Sequence, residues 1–146
     1  MLQTRERPQS PRQAIDVAAS LRGFFAITQP WGLTADHARA LLGAPAERIL
    51  YAWQAGNAVR VPMDTLRRIG HVAGIYKALE LLYSDPHLAD DWINRTNQAL
   101  GGQTPLQRMR AGDVADLAAV RAYLDAARAV AGRHADCLVR TRESIR

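Results

Sequence analysis

Apolar residues recur along most of this chain at intervals of three and four, the period of amphipathic α-helices. Alanine, leucine and arginine dominate and aromatic residues make up only 6%, so intrinsic propensity favours helix over sheet almost throughout. The pattern and its capping residues predict helical segments in the ranges 14–28, 33–57, 64–83, 87–94, 105–111 and 114–130. The sequence therefore predicts an all-α fold.

The segment that opens at Asp64 is predicted to be the longest helix. Its apolar stripe comprises Leu66, Ile69, Ala73, Tyr76, Leu79 and Tyr83, widened by Val72, Ile75 and Leu82. A helix that is apolar over most of its girth is buried on several sides, so we expect a central core helix that also contributes to an interface. Gly70 and Gly74 permit close helix contact there, and ordinary packing explains them as well as dimerisation does.

The clearest local signals lie between the last two predicted helices. Thr104 is a predicted N-cap, Pro105 stands at the first helical position, and Gln107 completes a capping box. Gly112 supplies a left-handed C-cap position, and Asp113 begins the final helix. The final helix is expected to carry one apolar face, formed by Val114, Leu117, Val120, Leu124 and Ala127. The loop is therefore predicted to be a packed scaffold.

The formal net charge is +5, and the excess is modest beside that of strongly basic nucleic-acid-binding proteins. The single cysteine, Cys137, excludes an internal disulfide, and the polar start of the chain lacks the apolar core of a signal peptide. Residues 1–13 are predicted to form a disordered arm, in which Arg5, Arg7 and Arg12 are available to touch DNA. We expect a cytoplasmic protein.

Chemical motifs of enzymes are missing from the sequence. The four histidines and one cysteine do not have the spacing of a zinc set, and neither a P-loop, a dinucleotide fingerprint nor a nucleophile elbow occurs. We expect no catalytic activity, no metal and no cofactor.

Trp92, the run N-x-x-L-G-G-x-T-P-L that begins at Asn97, and the Gly112-Asp113 pair together resemble the C-terminal toxin-binding domain of Xre/MbcA/ParS antitoxins. Residues 74–92 also resemble that family, and 33–57 resemble the helix-turn-helix of Xre-like regulators. The likeness runs from about Trp31 to about Ala131.

The resemblance implies the antitoxin of a bacterial type II toxin–antitoxin pair, which silences a RES-domain toxin that consumes NAD and represses the shared operon as a homodimer. It implies a helix-turn-helix bundle at 14–85, joined by the long central helix to a small helical toxin-binding domain at 86–132. Residues 133–146 would form a basic tail that enters or covers the toxin's pocket.

Two sets of site residues follow from this reading. The predicted DNA-binding residues are Glu47, Arg48, Tyr51, Gln54 and Arg60. The predicted toxin-binding residues are Arg121, Tyr123, Arg128, Arg133, Arg140, Arg142 and Arg146. Arg39 stands where a helix-turn-helix prefers a small residue, and Ala44-Pro45-Ala46 makes the turn about one residue longer than the usual pattern. Two alternatives therefore stay open: a stand-alone transcriptional regulator, and an interaction adaptor whose helix-turn-helix is inactive.

Overall fold

The all-α fold is confirmed by a computed structural model that describes residues 11–57 and 60–143, with side chains described for 17–57 and 60–132. These ranges contain no β-strand. The helices are α1 (Pro11–Thr28), α2 (Ala35–Leu41), α3 (Glu47–Gln54), α4 (Met63–Leu82), α5 (Pro86–Trp92), α6 (Pro105–Met109) and α7 (Val114–Glu143), with a 3-10 turn at Gln98–Leu100.

Helices α1 to α3 form a compact bundle. The first helix begins at Pro11 instead of Ala14, so residues 11–13 belong to a helix and not to the predicted arm. Ala38, Leu41 and Leu42 are buried across the turn from Leu50 and Trp53, as the sequence predicts. The α2–α3 pair therefore packs as two short helices with a shared apolar interior.

The unusual residue in this pair, Arg39, stabilises the longer turn instead of disrupting it. Its Nε donates a hydrogen bond of 2.8 Å to the carbonyl oxygen of Pro45, and its guanidinium lies 3.2 Å from the Asp36 carboxylate. Gly43 and Ala44 both have positive φ, 95° and 60°, which lets the backbone turn before α3. A long, tethered side chain thus fills the position where a small residue was expected.

Helix α4 is the centre of the core, but its buried face is rotated from the predicted stripe. Ala73 is exposed and Leu66 only half-buried, whereas Thr65 and Arg68 are buried together with Val72 and four other residues, Ile69, Ile75, Ala78 and Leu79. The apolar surface extends around much of this helix, so packing against both α1 and α7 sets the rotation. The sequence pattern alone could not choose that rotation.

Arg68 connects three parts of the chain from its buried position. Its Nε lies 2.7 Å from a carboxylate oxygen of Asp64, one amino group donates 2.9 Å to the carbonyl of Gly112, and the other donates 3.4 Å to that of Ala40. Thr65 beside it donates 2.8 Å to the carbonyl of Leu42. These bonds join α2 and the turn after it to the loop that precedes α7.

The predicted caps of the C-terminal loop are confirmed. Thr104 accepts a hydrogen bond from the backbone of Gln107 at 3.1 Å, and the Gln107 side chain accepts one from Thr104 at 2.9 Å. Gly112 has φ of 108°, and the carboxylates of Asp113 and Asp116 accept backbone hydrogen bonds at the start of α7. On α5, Leu88 is exposed, whereas Ala89 and Trp92 are buried.

Helix α7, with 30 residues, is longer than α4, which has 20, so the predicted order of lengths is wrong. It continues to Glu143 instead of ending near Val130, and 133–143 are helical instead of an aperiodic tail. Leu117, Val120 and Leu124 are buried, but no residue from Asp125 to Gly132 is. The helix therefore leaves the core after Leu124.

Candidate functional site

The exposed face of α3 is the first candidate surface. Glu47, Arg48, Tyr51 and Gln54 are all exposed, as predicted, and Arg60 is exposed in the connection to α4. The hydroxyl of Tyr51 donates a 2.9 Å hydrogen bond to the Glu47 carboxylate, which raises the pKa of Tyr51. Two of the predicted DNA-reading side chains are therefore paired with each other.

The charge around this face is nearly balanced. Asp36 of α2 is close enough to add to the rise in the pKa of Tyr51, and Glu47 contributes a second negative charge. Arg39 is occupied by Asp36 and by the turn, while Arg48 makes no ion pair within the described residues. Phosphate attraction by this face rests mainly on Arg48.

The second candidate surface lies along α7, where the predicted toxin-binding residues separate onto two flanks. Successive helical residues are rotated by about 100°, which places Tyr123 roughly 200° from Arg121, while Arg128 returns to within about 20° of Arg121. The structure therefore groups the two arginines and places the tyrosine on the other side of the buried stripe. Arg121 and Tyr123, both predicted to bind the toxin, therefore lie on different sides of α7.

The apolar flank of α7 is built around Tyr123. Its ring is stacked on that of Trp92, with centroids 6.1 Å apart and planes at 17°. Further along the helix, Ala126, Ala127, Val130 and Ala131 continue from Tyr123 around a shallow groove of about 550 Å³. Val130 is 57% exposed and Leu88, one turn before Trp92 on α5, is 41% exposed. This flank presents apolar surface without a partner among the described residues.

The basic flank faces α4. Arg121 and Arg128 lie on either side of Asp125, and Lys77 of α4 completes the same cleft. The sequence reading missed Lys77, although it is the only lysine in the chain and stands one turn after Gly74. Its separation from Arg121 by 44 residues along the chain concealed the connection.

A third feature that sequence reasoning missed joins the two halves of the protein. The Arg110 guanidinium lies 2.8 Å from Nε2 of His37, which caps the start of α2. Burial and the nearby Arg110 charge lower the pKa of His37. The neutral imidazole is therefore the form that this contact favours.

Comparison with known proteins assigns the C-terminal half. Residues 78–129 match the family described as the antitoxin Xre/MbcA/ParS C-terminal toxin-binding domain. The chain is also 40% identical, over 112 residues, to the uncharacterized protein y4oB of Sinorhizobium fredii, an alignment that covers 77% of this chain and 86% of y4oB. Residues 78–129 are therefore similar to the toxin-binding domain of these antitoxins, and the chain belongs to the same family as y4oB. No solved structure matches it.

The matched antitoxin domain runs from the last turn of α4, through the capped loop, to the middle of α7. It contains both Arg121 and Tyr123, and so includes part of each flank of α7. The side chains that the structure describes do not include four of the predicted toxin-binding residues, Arg133, Arg140, Arg142 and Arg146. They also do not include Arg5, Arg7 and Arg12 of the predicted arm.

Membrane-spanning helices and clusters of metal ligands are not found in the described residues. None of the helices there has the length and apolar character needed to cross a membrane. In the same part of the chain, no group of three or more His, Cys, Asp or Glu side chains is arranged to hold a metal ion.

Proposed function

We propose that this chain is the antitoxin of a type II toxin–antitoxin pair, which binds and neutralises a RES-domain toxin that consumes NAD. The observation that carries the proposal is the match of residues 78–129 to the toxin-binding domain of this antitoxin family. Neutralisation requires an interface of ordinary size, about 1,600 Å² in total, with a few aromatic or arginine anchors. It requires no catalysis by this chain.

The toxin face that we propose begins on the apolar flank of α7. Tyr123 is held by its stack on Trp92, so little conformational freedom is lost when a partner covers it. No residue from Asp125 to Gly132 is buried, and a short helix with little tertiary packing is marginal in water. Binding to a partner would stabilise this projecting half.

The proposed role of residues 133–146 is to extend that contact into or over the toxin's pocket. Four arginines in this segment, Arg133, Arg140, Arg142 and Arg146, provide planar cations for it. A deletion after Gly132 is expected to retain the fold, because Leu124 is the last buried residue among the described side chains of α7, and to lose neutralisation. Full rescue of growth by the deleted protein would exclude the role of the tail.

The test of the whole proposal is co-expression of this chain with the product of its neighbouring gene. We expect the neighbouring product alone to stop growth, the chain to restore growth, and a tag on the neighbouring product to retain the chain during purification. Tyr123→Ala tests the proposed face, and Tyr51→Ala, which removes another exposed aromatic ring, this one from α3, is the matched control. Absence of both complex and rescue would contradict the antitoxin function.

We further propose that the protein represses its own operon as a homodimer, with α3 in the major groove of operator DNA. Support comes from the helix-turn-helix packing of α2 on α3 and from the exposure of Arg48 and Gln54. Replacing both with alanine is expected to abolish the mobility shift of the promoter fragment while toxin binding is retained.

One observation favours a second candidate, an interaction adaptor whose helix-turn-helix no longer reads DNA. The exposed face of α3 is nearly neutral, and Glu47 beside Tyr51 would repel phosphates. This candidate predicts the same promoter binding before and after the Arg48 and Gln54 replacements. A stand-alone regulator predicts tight operator binding and no complex with the neighbouring product.

A further inference from the structure

In the cleft between α4 and α7, one arginine side chain lies directly against a glycine. The Arg121 side chain lies directly over Gly74, so close that a Cβ atom at Gly74 would stand 2.5 Å from Nε of Arg121 and 2.6 Å from its Cζ. Any larger residue on α4 would displace the guanidinium. Gly74 therefore allows a cation to lie against the backbone of a neighbouring helix.

Three cations share one carboxylate in this cleft. Arg121 and Arg128 lie 3.8 Å and 3.7 Å from Asp125, distances longer than the 2.7–2.9 Å of a charge-assisted hydrogen bond. Lys77, which also lines the cleft, has no ion pair within the described part of the chain. With one negative and three positive groups, the cleft has a formal charge of +2 and many unused donors.

Two other arginines of the protein form closer ion pairs with carboxylates. Arg68 lies 2.7 Å from Asp64, and Arg108 lies 2.9 Å from Asp116, each with a direct hydrogen bond. Those two side chains join helices to each other. Arg121 and Arg128 differ because they are only weakly paired and border an open cleft of about 510 Å³.

The surroundings of Arg121 indicate that the cleft would bind an anion. His71, one turn before Gly74, has a buried Nδ1 without a hydrogen-bond partner among the described groups. Burial and the charge of Arg121 both lower the pKa of His71, in agreement with an excess of positive potential. A neutral His71 adds no further cation near Arg121.

We propose that the cleft formed by Lys77, Arg121 and Arg128 binds a carboxylate side chain of an acidic segment in the protein partner of this antitoxin. Guanidinium groups bind carboxylates through paired N–H donors, and Lys77 adds a point charge from the opposite helix. The inference rests on the proposed function, and it adds a second contact surface, separate from the apolar flank around Tyr123. A free phosphate would present similar oxygen acceptors, so the experiment must distinguish the two sources.

The first measurement is the affinity of the purified partner for the full-length antitoxin, by calorimetry at several salt concentrations. Lys77→Glu is expected to raise Kd by about tenfold or more and to flatten its salt dependence. The matched control is Arg67→Glu, which places the same new charge on an exposed position of α4, roughly 15 Å from Lys77 along the helix axis. The control is expected to change Kd by less than about twofold.

A second variant separates geometry from charge. Gly74→Ala keeps all four charged groups but forces Arg121 to move, and a flexible side chain can do so without unfolding the helix. We expect a several-fold rise in Kd while the urea unfolding midpoint stays close to that of the wild type. Unchanged affinity in both Lys77→Glu and Gly74→Ala would overturn the inference and leave the antitoxin function intact. Failure of the wild type to form any complex would instead overturn the proposed function.

The single lysine provides a direct probe of the anion source. Reductive methylation with a ¹³C label keeps its charge and gives one lysine side-chain NMR signal. We expect this signal to shift when the partner is added, and not to show a saturable shift with inorganic phosphate alone. A saturable response to phosphate together with no response to the partner would assign the cleft to a small anion and overturn the inference.

Discussion

Replacing Arg68 with alanine is the most informative test of how the two halves of this protein are joined. The side chain is 7% exposed, and its removal leaves the carbonyls of Gly112 and Ala40 and the Asp64 carboxylate without their partner. Hydrogen bonds to a charged group contribute about 1.5–3 kcal/mol each. The 2.9 Å bond to Gly112 should have this strength, whereas the 3.4 Å bond to Ala40 should contribute little.

The ion pair with Asp64 contributes less, because that carboxylate is 52% exposed and water replaces the lost partner. A pair of this kind is worth at most about 1 kcal/mol. We therefore expect Arg68→Ala to lower the free energy of unfolding by about 3 kcal/mol. For a chain of this size, each 1 kcal/mol shifts Tm by about 2–4 °C, so the expected fall is about 6–12 °C.

The assay is urea unfolding followed by circular dichroism, with thermal melting as a second probe. Arg67→Ala is the control. Arg67 is the exposed neighbour of Arg68 on the same helix, so its replacement should change the free energy of unfolding by less than about 0.5 kcal/mol. Arg68→Lys keeps the charge but lacks the planar guanidinium whose N–H groups reach several acceptors. It should therefore recover only part of the lost free energy of unfolding. A loss below about 1 kcal/mol in Arg68→Ala would refute the proposed connection.

Three other outcomes are expected. Tyr123→Ala should weaken partner binding by at least about tenfold, measured by calorimetry, while the Tyr51→Ala control binds normally. Thr104→Ala should cost about 1 kcal/mol in urea unfolding because the capping box of α6 is lost, whereas Thr104→Ser should retain it. The free energy of unfolding should be constant well above pH 6.5 and fall as pH drops below that value, since the lowered pKa values of His37 and His71 let the unfolded chain take up protons first. Replacing both histidines with asparagine should flatten that slope, and an unchanged slope would contradict the assignment.

Much of the local structure was predictable because its causes act within a few residues. The cap at Thr104 depends on Gln107, three positions away, and the break before α7 depends on the positive φ of Gly112. The packing of Leu41 against Leu50 similarly follows from two short helices and one turn. Short-range hydrogen bonds and backbone sterics leave few alternatives at such positions.

The arrangement of the candidate site depends on contacts between residues that are far apart in the sequence. Helical geometry alone places Tyr123 and Arg121 on different sides of α7, but only the rotation of α7 in the core places them beside Trp92 and Gly74 respectively. Lys77 joins Arg121 only because α4 and α7 pack side by side. The apolar periodicity of neither helix predicts that these two residues lie in the same cleft.

What the sequence by itself determined was the helical class, the capped loop around Thr104 and the helix-turn-helix core, because propensity, caps and apolar spacing all act locally. Tertiary structure alone decided that Arg68 is buried, that Leu88 is exposed and that α7 projects beyond Leu124. Helices with apolar residues around most of their girth can pack in several rotations of similar hydrophobic gain. The choice among those rotations is made by the neighbouring helices, and here it separates an apolar flank of α7 from a basic one.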